Sequence, residues 1–307
     1  MKRIACREAD PKEIFFIAFL GSAVLAAGGC VNMNTTTSAS SNAASALSRE
    51  RIAQIIASPD RSAADRNNDI RRKPDRMLAF IGVQPGMVAL DLSAGGGYTT
   101  ELLARAVGPS GRVYGQSAPR DPVNPPRPPA TPEGNAAPTA TDATAAQVAA
   151  TAPAAPAVRR TSAQALAERS RNPSAGNMIS VTQKFEAPVP PEVGAGGLDL
   201  VTLMFNYHDL GHMGVDRDAM NKAVFAAVKR GGIYVIADHS GRPGTGISES
   251  GTLHRVEEAF LRHEVESAGF KLAEQGNFMR NPSDPRDKNT PDPPQPKDEF
   301  VLKFVKP

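Results

Sequence analysis

The sequence predicts an α/β fold: a doubly wound, mostly parallel, seven-stranded sheet with an antiparallel last strand. Three observations predict it. Short apolar runs alternate with segments whose apolar residues recur at helical spacing, which implies parallel strands with helices on both faces. The last two apolar runs have no helical segment between them, so they pair antiparallel. A glycine-rich turn, Gly95-Gly96-Gly97, separates the first apolar run from a long helical segment.

In chain order, residues 47–57 (LSRERIAQIIA) read as a short amphipathic helix ended near Pro59. The stretch 65–72 is charged, and Lys73-Pro74 precedes a second helix over 75–81. Gln84-Pro85-Gly86 is a turn. Residues 87–92 (MVALDL), bounded by that turn and by glycines, form a buried strand. Residues 98–107 (YTTELLARAV) carry helical spacing until Gly108-Pro109-Ser110-Gly111 stops them. Residues 112–115 (RVYG) are the second strand.

The pattern then breaks. Residues 118–160 are rich in Pro, Ala and Thr and cannot bury enough surface to order themselves. They read as a disordered insertion on a loop. A linker between two domains fits less well, because neither half closes a sheet alone. Beyond it come a helix at 162–171, strands at 178–181 and 198–205 (LDLVTLMF), and a helix at 217–229 stopped by Gly231-Gly232. A strand at 233–238 (IYVIAD), a helix at 253–268, a strand at 271–276, a Pro/Asp-rich loop at 281–297 and a strand at 300–305 (FVLKFV) complete the chain.

The N-terminus reads as an address. Lys2, Arg3, Arg7 and Lys12 precede an uncharged apolar run over 14–27, long enough for a signal-peptide core and short for a bilayer span. Gly28 and Gly29 lead into Cys30, and this arrangement resembles a bacterial lipobox with Ala27 in place of the usual Leu. The expectation is a signal peptide over 1–30, a flexible tether over 31–46 and a domain over 47–307. The protein is then exported to the periplasm and held at a membrane by a lipid anchor only. An ordinary cleaved signal with a coincidental cysteine is the competing reading. The only two cysteines, Cys6 and Cys30, lie in this segment, which excludes a disulfide core and a cysteine metal site in the domain. A net charge of +3 gives no case for nucleic-acid binding, which needs a concentrated basic face.

Asp91-Leu92-Ser93-Ala94-Gly95-Gly96-Gly97 follows a strand and opens a helix. Glycines let such a turn tighten and let a ligand approach the backbone, and the helix N-terminus offers free N–H groups. The stretch resembles the first motif of class I S-adenosylmethionine-dependent methyltransferases. Further pieces resemble an uncharacterised family of bacterial predicted methyltransferases, often exported. They are Arg72-Lys73-Pro74, residues 85–97, Gly111-Arg112-Val113-Tyr114, Phe205-Asn206-Tyr207-His208-Asp209, Asp238-His239-Ser240, Leu253-His254-Arg255 and the C-terminal hairpin. The resemblance implies a Rossmann-like sheet and S-adenosylmethionine as cofactor. It places Asp91, Ser93, Gly95, Gly97, Gln116, Ser117 and Asn206 around that cofactor. Two departures stand out: Ser93 replaces a glycine, and the second strand ends in Gln116-Ser117 where the family has an acid for the ribose.

Asn206-Tyr207-His208-Asp209 follows the fourth strand, at the sheet edge where ligands lie in open α/β folds. His208 is the candidate base that removes the acceptor's proton, with Asp209 to orient it or act directly and Tyr207 to face the sulfonium. A loop cap by His208 and Asp209 explains the same residues. Asp238-His239 fits a substrate contact or an Asp-stabilised turn. His254 and Arg255 are expected to start a helix overhanging the cleft. No short ligand spacing such as HExxH joins the histidines, so no metal is expected. The sequence thus predicts a methyltransferase acting on a small-molecule or surface-exposed acceptor. The alternative is a non-catalytic, methyltransferase-like ligand-binding or envelope-interaction lipoprotein, favoured by the missing ribose acid and by a cofactor that is made inside the cell.

Overall fold

The computed structural model describes residues 45–119, 161–289 and 295–307. The leader, Cys30, most of the tether and nearly all of the 118–160 insertion lie outside the described residues.

Seven strands form one sheet: β1 (Val88–Leu92), β2 (Arg112–Ser117), β3 (Met178–Thr182), β4 (Leu198–Met204), β5 (Val228–His239), β6 (Lys271–Gly276) and β7 (Glu299–Val305). Their order is β3-β2-β1-β4-β5-β7-β6. β1 to β5 run parallel, and β7 pairs antiparallel with both β5 and β6. This is the Rossmann-like methyltransferase sheet that the alternating pattern predicted. The order reverses between β1 and β4, which opens a crevice at their carboxyl ends.

Strand alternation divides the core in two. Leu200 and Met204 of β4, with Val235 and Ala237 of β5, face a cluster formed with α1 (Arg49–Ile56), α3 (Pro74–Ile81) and α4 (Tyr98–Val107). Val201, Leu203, Tyr234 and Ile236 face the other cluster, beneath α7 (Arg217–Ala227) and α8 (Glu258–Ser267).

Several boundaries differ from the sequence reading, four of them by enough to matter. The charged stretch is a helix, α2 (Ala63–Arg72), capped by Ser62. Its charges are spent on tertiary pairs rather than on water: Asp65 binds Arg169 at 2.7 Å and Asp69 binds Arg61 at 2.7 Å. β2 continues to Ser117, because β3 pairs with it along its whole length. β5 begins at Val228, directly after α7, and runs through the expected stop at Gly231-Gly232, with Gly231 at φ 75°. α8 begins at Glu258, so His254 and Arg255 lie in the turn before it.

Candidate active site

The loop after β1 is built from the strand upward. Asp91, at 2% exposure, accepts hydrogen bonds from Thr100 of α4 (2.6 Å) and Thr202 of β4 (2.7 Å). Burial pushes its carboxyl up to about 6, against the opposing effect of those two hydroxyls. Asp91 therefore anchors the loop from beneath. Ser93 takes the positive φ of 52° that its replacement of glycine demands. Its N–H donates to Gln116 Oε1 (2.9 Å) and its hydroxyl to Asn206 Oδ1 (3.3 Å). Gln116, fully buried, also donates from Nε2 to the Gln183 carbonyl (2.7 Å), so its amide is a clamp between two loops. Ser117 turns its hydroxyl towards the Val181 carbonyl.

Gly95 and Gly97 have φ of 54° and 82°. A Cβ on Gly95 would meet nothing closer than 3.9 Å, whereas one on Gly97 would come within 2.9 Å of Leu166 and Arg169. Both belong to α5 (Ser162–Arg169), which lies along the loop. Arg169 hydrogen-bonds the Gly96 carbonyl and joins Asp65 and Glu101, tying α2, α4 and α5 together around the turn.

Arg72 ends α2 beside this loop. Its guanidinium lies over the Phe205 ring at 4.5 Å and the Tyr98 ring at 5.7 Å. Among the described residues no carboxylate or carbonyl is hydrogen-bonded to it. Burial and the neighbouring Arg71 pull its pKa down to about 10, so it remains a cation at neutral pH. An apolar cavity of about 20 Å³, room for roughly one water, lies behind it, between α3, α4 and Phe205. A wider concavity, about 780 Å³, lies by the Gly108–Arg112 turn. Its buried cation, Arg105, is already paired with Asp60 and Glu101.

Beyond Phe205, which holds a φ of 62°, the chain turns His208 inward to 1% exposure. Asp238, fully buried at the end of β5, accepts from the His208 backbone N–H (2.8 Å) and lies 2.6 Å from His208 Nδ1. A carboxylate only accepts, so Nδ1 carries the proton. His208 Nε2 is 3.2 Å from Asp209 Oδ1. Burial pulls the imidazole pKa down, but Asp238 and Asp209 outweigh it and push it up to about 10. Asp209, about one-third exposed, is held below the usual carboxylate range by His208 and His254, against its own burial. His239 follows, with Nδ1 3.1 Å from Glu299, which also binds Arg71 at 2.7 Å.

The structure thus brings together Asp91, Ser93, Gly95, Gly97 and Asn206 in one loop cluster, and His208 and Asp209 in another along the same edge. It directs Tyr207 elsewhere. That side chain is fully buried under α7 and α8, donating to Glu264 (2.7 Å) and accepting from Asn221 (3.0 Å). Arg255 is also fully buried, pinned to Asp284 (2.9 Å) and the Ser240 carbonyl (3.0 Å), as structural work requires. His254 Nδ1 reaches Asp209 at 3.0 Å, a meeting that the sequence spacing hides. Arg72 and Glu299 were missed as site residues. Arg72 sat in a run of charges, and the Arg71–Glu299 pair spans 228 positions, which no local pattern reports.

No protein-family model matches this chain, and no curated protein does. Solved structures with a similar course include a SAM-dependent methyltransferase from Aquifex aeolicus, 14% identical, covering 85% of this chain and 100% of that chain at a TM-score of 0.49. A complex between the Haloferax volcanii Trm112 methyltransferase activator and a putative methyltransferase matches at 15% identity, 85% and 99% coverage and a TM-score of 0.49. Aeropyrum pernix fibrillarin with natively bound S-adenosyl-L-methionine matches at 14% identity, 73% and 68% coverage and a TM-score of 0.39. These are distant likenesses, and the class of fold rests on this chain's own strand order.

Proposed function

We propose that this protein binds S-adenosylmethionine at the carboxyl ends of β1 and β4 and transfers its methyl group to a small-molecule or surface-exposed acceptor. Arg72 carries the reading. A cation lying over the Phe205 and Tyr98 rings, with no carboxylate bonded to it among the described residues, stands beside a loop where a Cβ on Gly95 would meet only the Ser93 carbonyl, at 3.9 Å. The methionine carboxylate is the anion that such a guanidinium takes with paired hydrogen bonds. His208 and Asp209 lie further along the edge, on the acceptor side. His208 Nε2 meets Asp209 there, and the pair supplies the base region. The acceptor's proton passes to that pair, open to solvent through the one-third exposed Asp209, as the new bond to the methyl carbon forms and the sulfonium leaves as a neutral thioether.

A second reading draws on Gln116. The ribose position has no carboxylate, and the amide there is already spent on Ser93 and Gln183. That favours a methyltransferase-like binding protein without turnover. Calorimetry on the full chain separates the readings. One-to-one binding of S-adenosylmethionine is expected, weakened about 10–100-fold by Arg72→Ala, the loss of a charge-assisted pair. No heat with wild-type protein at millimolar cofactor sinks the cofactor reading. Binding without any methyl transfer to candidate acceptors leaves the second reading standing. We propose as well that the chain is exported and lipid-anchored at Cys30, on the strength of the apolar run before it.

A further inference from the structure

Four of the five histidines form one contiguous group. The His208 ring lies 5.3 Å from that of His239 and 5.6 Å from that of His254, and His254 lies 5.8 Å from His212. Three of them converge on a single oxygen. Asp209 Oδ1 is 3.2 Å from His208 Nε2, 3.0 Å from His254 Nδ1 and 3.9 Å from His212 Nδ1. We propose that His208, Asp209 and His254 form a binding site for a divalent transition-metal ion of the zinc class, with His212 as a further donor on its open side.

The spacing fits such an ion. Two donors bound tetrahedrally at about 2.0–2.2 Å stand roughly 3.4 Å apart, close to both the His208–Asp209 and the His254–Asp209 separations. The ligand atoms of all three residues lie within 4.8 Å of one another. His208 and His254 approach the two lone-pair directions of Asp209 Oδ1, while His212 Nδ1 also has the Ser250 hydroxyl at 3.0 Å. A cation between the groups engages every one of them.

The surroundings are those of a held ligand. Asp238 accepts from His208 Nδ1 at 2.6 Å, which orients the ring and directs Nε2 toward the site, as a carboxylate behind a metal-bound imidazole does. Ser250 bonds the His208 carbonyl (2.5 Å) and the His212 N–H (2.8 Å), fixing both backbones. Arg255, next in sequence to His254, is turned away to Asp284. The donor set, imidazoles with one carboxylate, suits zinc, cobalt, nickel, copper or iron and is poor for magnesium or calcium, which take oxygen. His208 closes the site from below at 1% side-chain exposure, while Asp209 and His254, at 31% and 29%, leave a side open. An oxygen or sulfur of an incoming acceptor can complete the coordination there.

The site is tested on untagged, chelator-stripped full-length protein without any cofactor, so its failure and that of the S-adenosylmethionine reading are separate results. Zn²⁺ is titrated by calorimetry, and Co²⁺ by visible absorption, whose intensity rises when the ion becomes tetrahedral. One equivalent is expected at micromolar affinity or tighter. His254→Ala and Asp209→Asn, both at partly exposed positions, are each expected to weaken it about 100-fold, and Asp238→Asn about 10–100-fold through the ring it orients. His263→Ala, on α8, is expected to bind as wild type does. Absence of saturable binding by wild type at 100 µM metal (roughly 5.5 kcal/mol), or unchanged affinity in both His254→Ala and Asp209→Asn, overturns the proposal.

Discussion

Asp91 sits where an acid ahead of a glycine loop invites a ligand role, yet both its oxygens are bonded within the fold. Its carboxyl is raised to about 6, above the unfolded value near 3.9. A group raised in this way contributes stability below the unfolded value and loses it as pH climbs through the folded one. Asp91→Asn cannot ionise and escapes that loss. Relative to wild type, the variant is expected to gain about 1–3 kcal/mol between pH 4 and pH 6, read from denaturant unfolding at each pH. A flat difference across that range means that Asp91 is not the buried carboxyl described. The glycines separate along another axis. Gly97→Ala meets α5 as well as a φ of 82°, so it is expected to lower the melting temperature by more than Gly95→Ala does. Gly95→Ala carries only the strain of its φ, about 1–2 kcal/mol, and places a methyl in the open space over the loop. It is expected to lose cofactor binding instead. Equal melting losses, or intact binding in Gly95→Ala, would remove that division of labour.

Elements with a strong period were readable, and those held by distant partners were not. β1, β4 and α4 were legible because MVALDL, LDLVTLMF and YTTELLARAV are self-sufficient patterns, and the 98–107 helix was placed at its observed bounds. α2 was missed because AADRNNDIRR shows no apolar stripe, its one large apolar residue, Ile70, being 80% exposed. The partner of its Asp65, Arg169, lies 104 positions away, past the insertion. The loop chemistry of Ser93, Gly95 and Gly97 was legible, since backbone conformation is written locally. The direction of Tyr207 was not, because burial under α7 and α8 decides it. α5 returns the chain to the sheet after the insertion with its own start signal, a Thr161–Gln164 capping box. Residues 120–160 can therefore be replaced by roughly ten Gly/Ser residues without touching β2 or that cap. Closure entropy changes by only about 0.6 kcal/mol per doubling of loop length. The melting temperature is expected to hold. A fall of more than about 5 °C, the effect of roughly 1–2 kcal/mol, would mean that the tract packs on the domain.

At the scale of the chain, the proposed export signal precedes the domain described over residues 45–119, 161–289 and 295–307. Among the described residues no helix is long and apolar enough to cross a membrane. The proposed membrane attachment is through Cys30. Cys30→Ala is expected to leave export intact and release the protein from the membrane fraction, followed by fractionation of cells expressing each form. Retention of the variant in that fraction overturns the lipid anchor and leaves export standing.

The pairing of Glu299 with Arg71 and His239 makes one side chain a keystone. Arg71 lies on α2, His239 ends β5, and Glu299 opens β7, the strand that fills the gap between β5 and β6. A local opening that lifts β7 from β5 therefore loosens the end of α2 as well. The sheet's inserted strand and the helix that carries Arg72 rise and settle together.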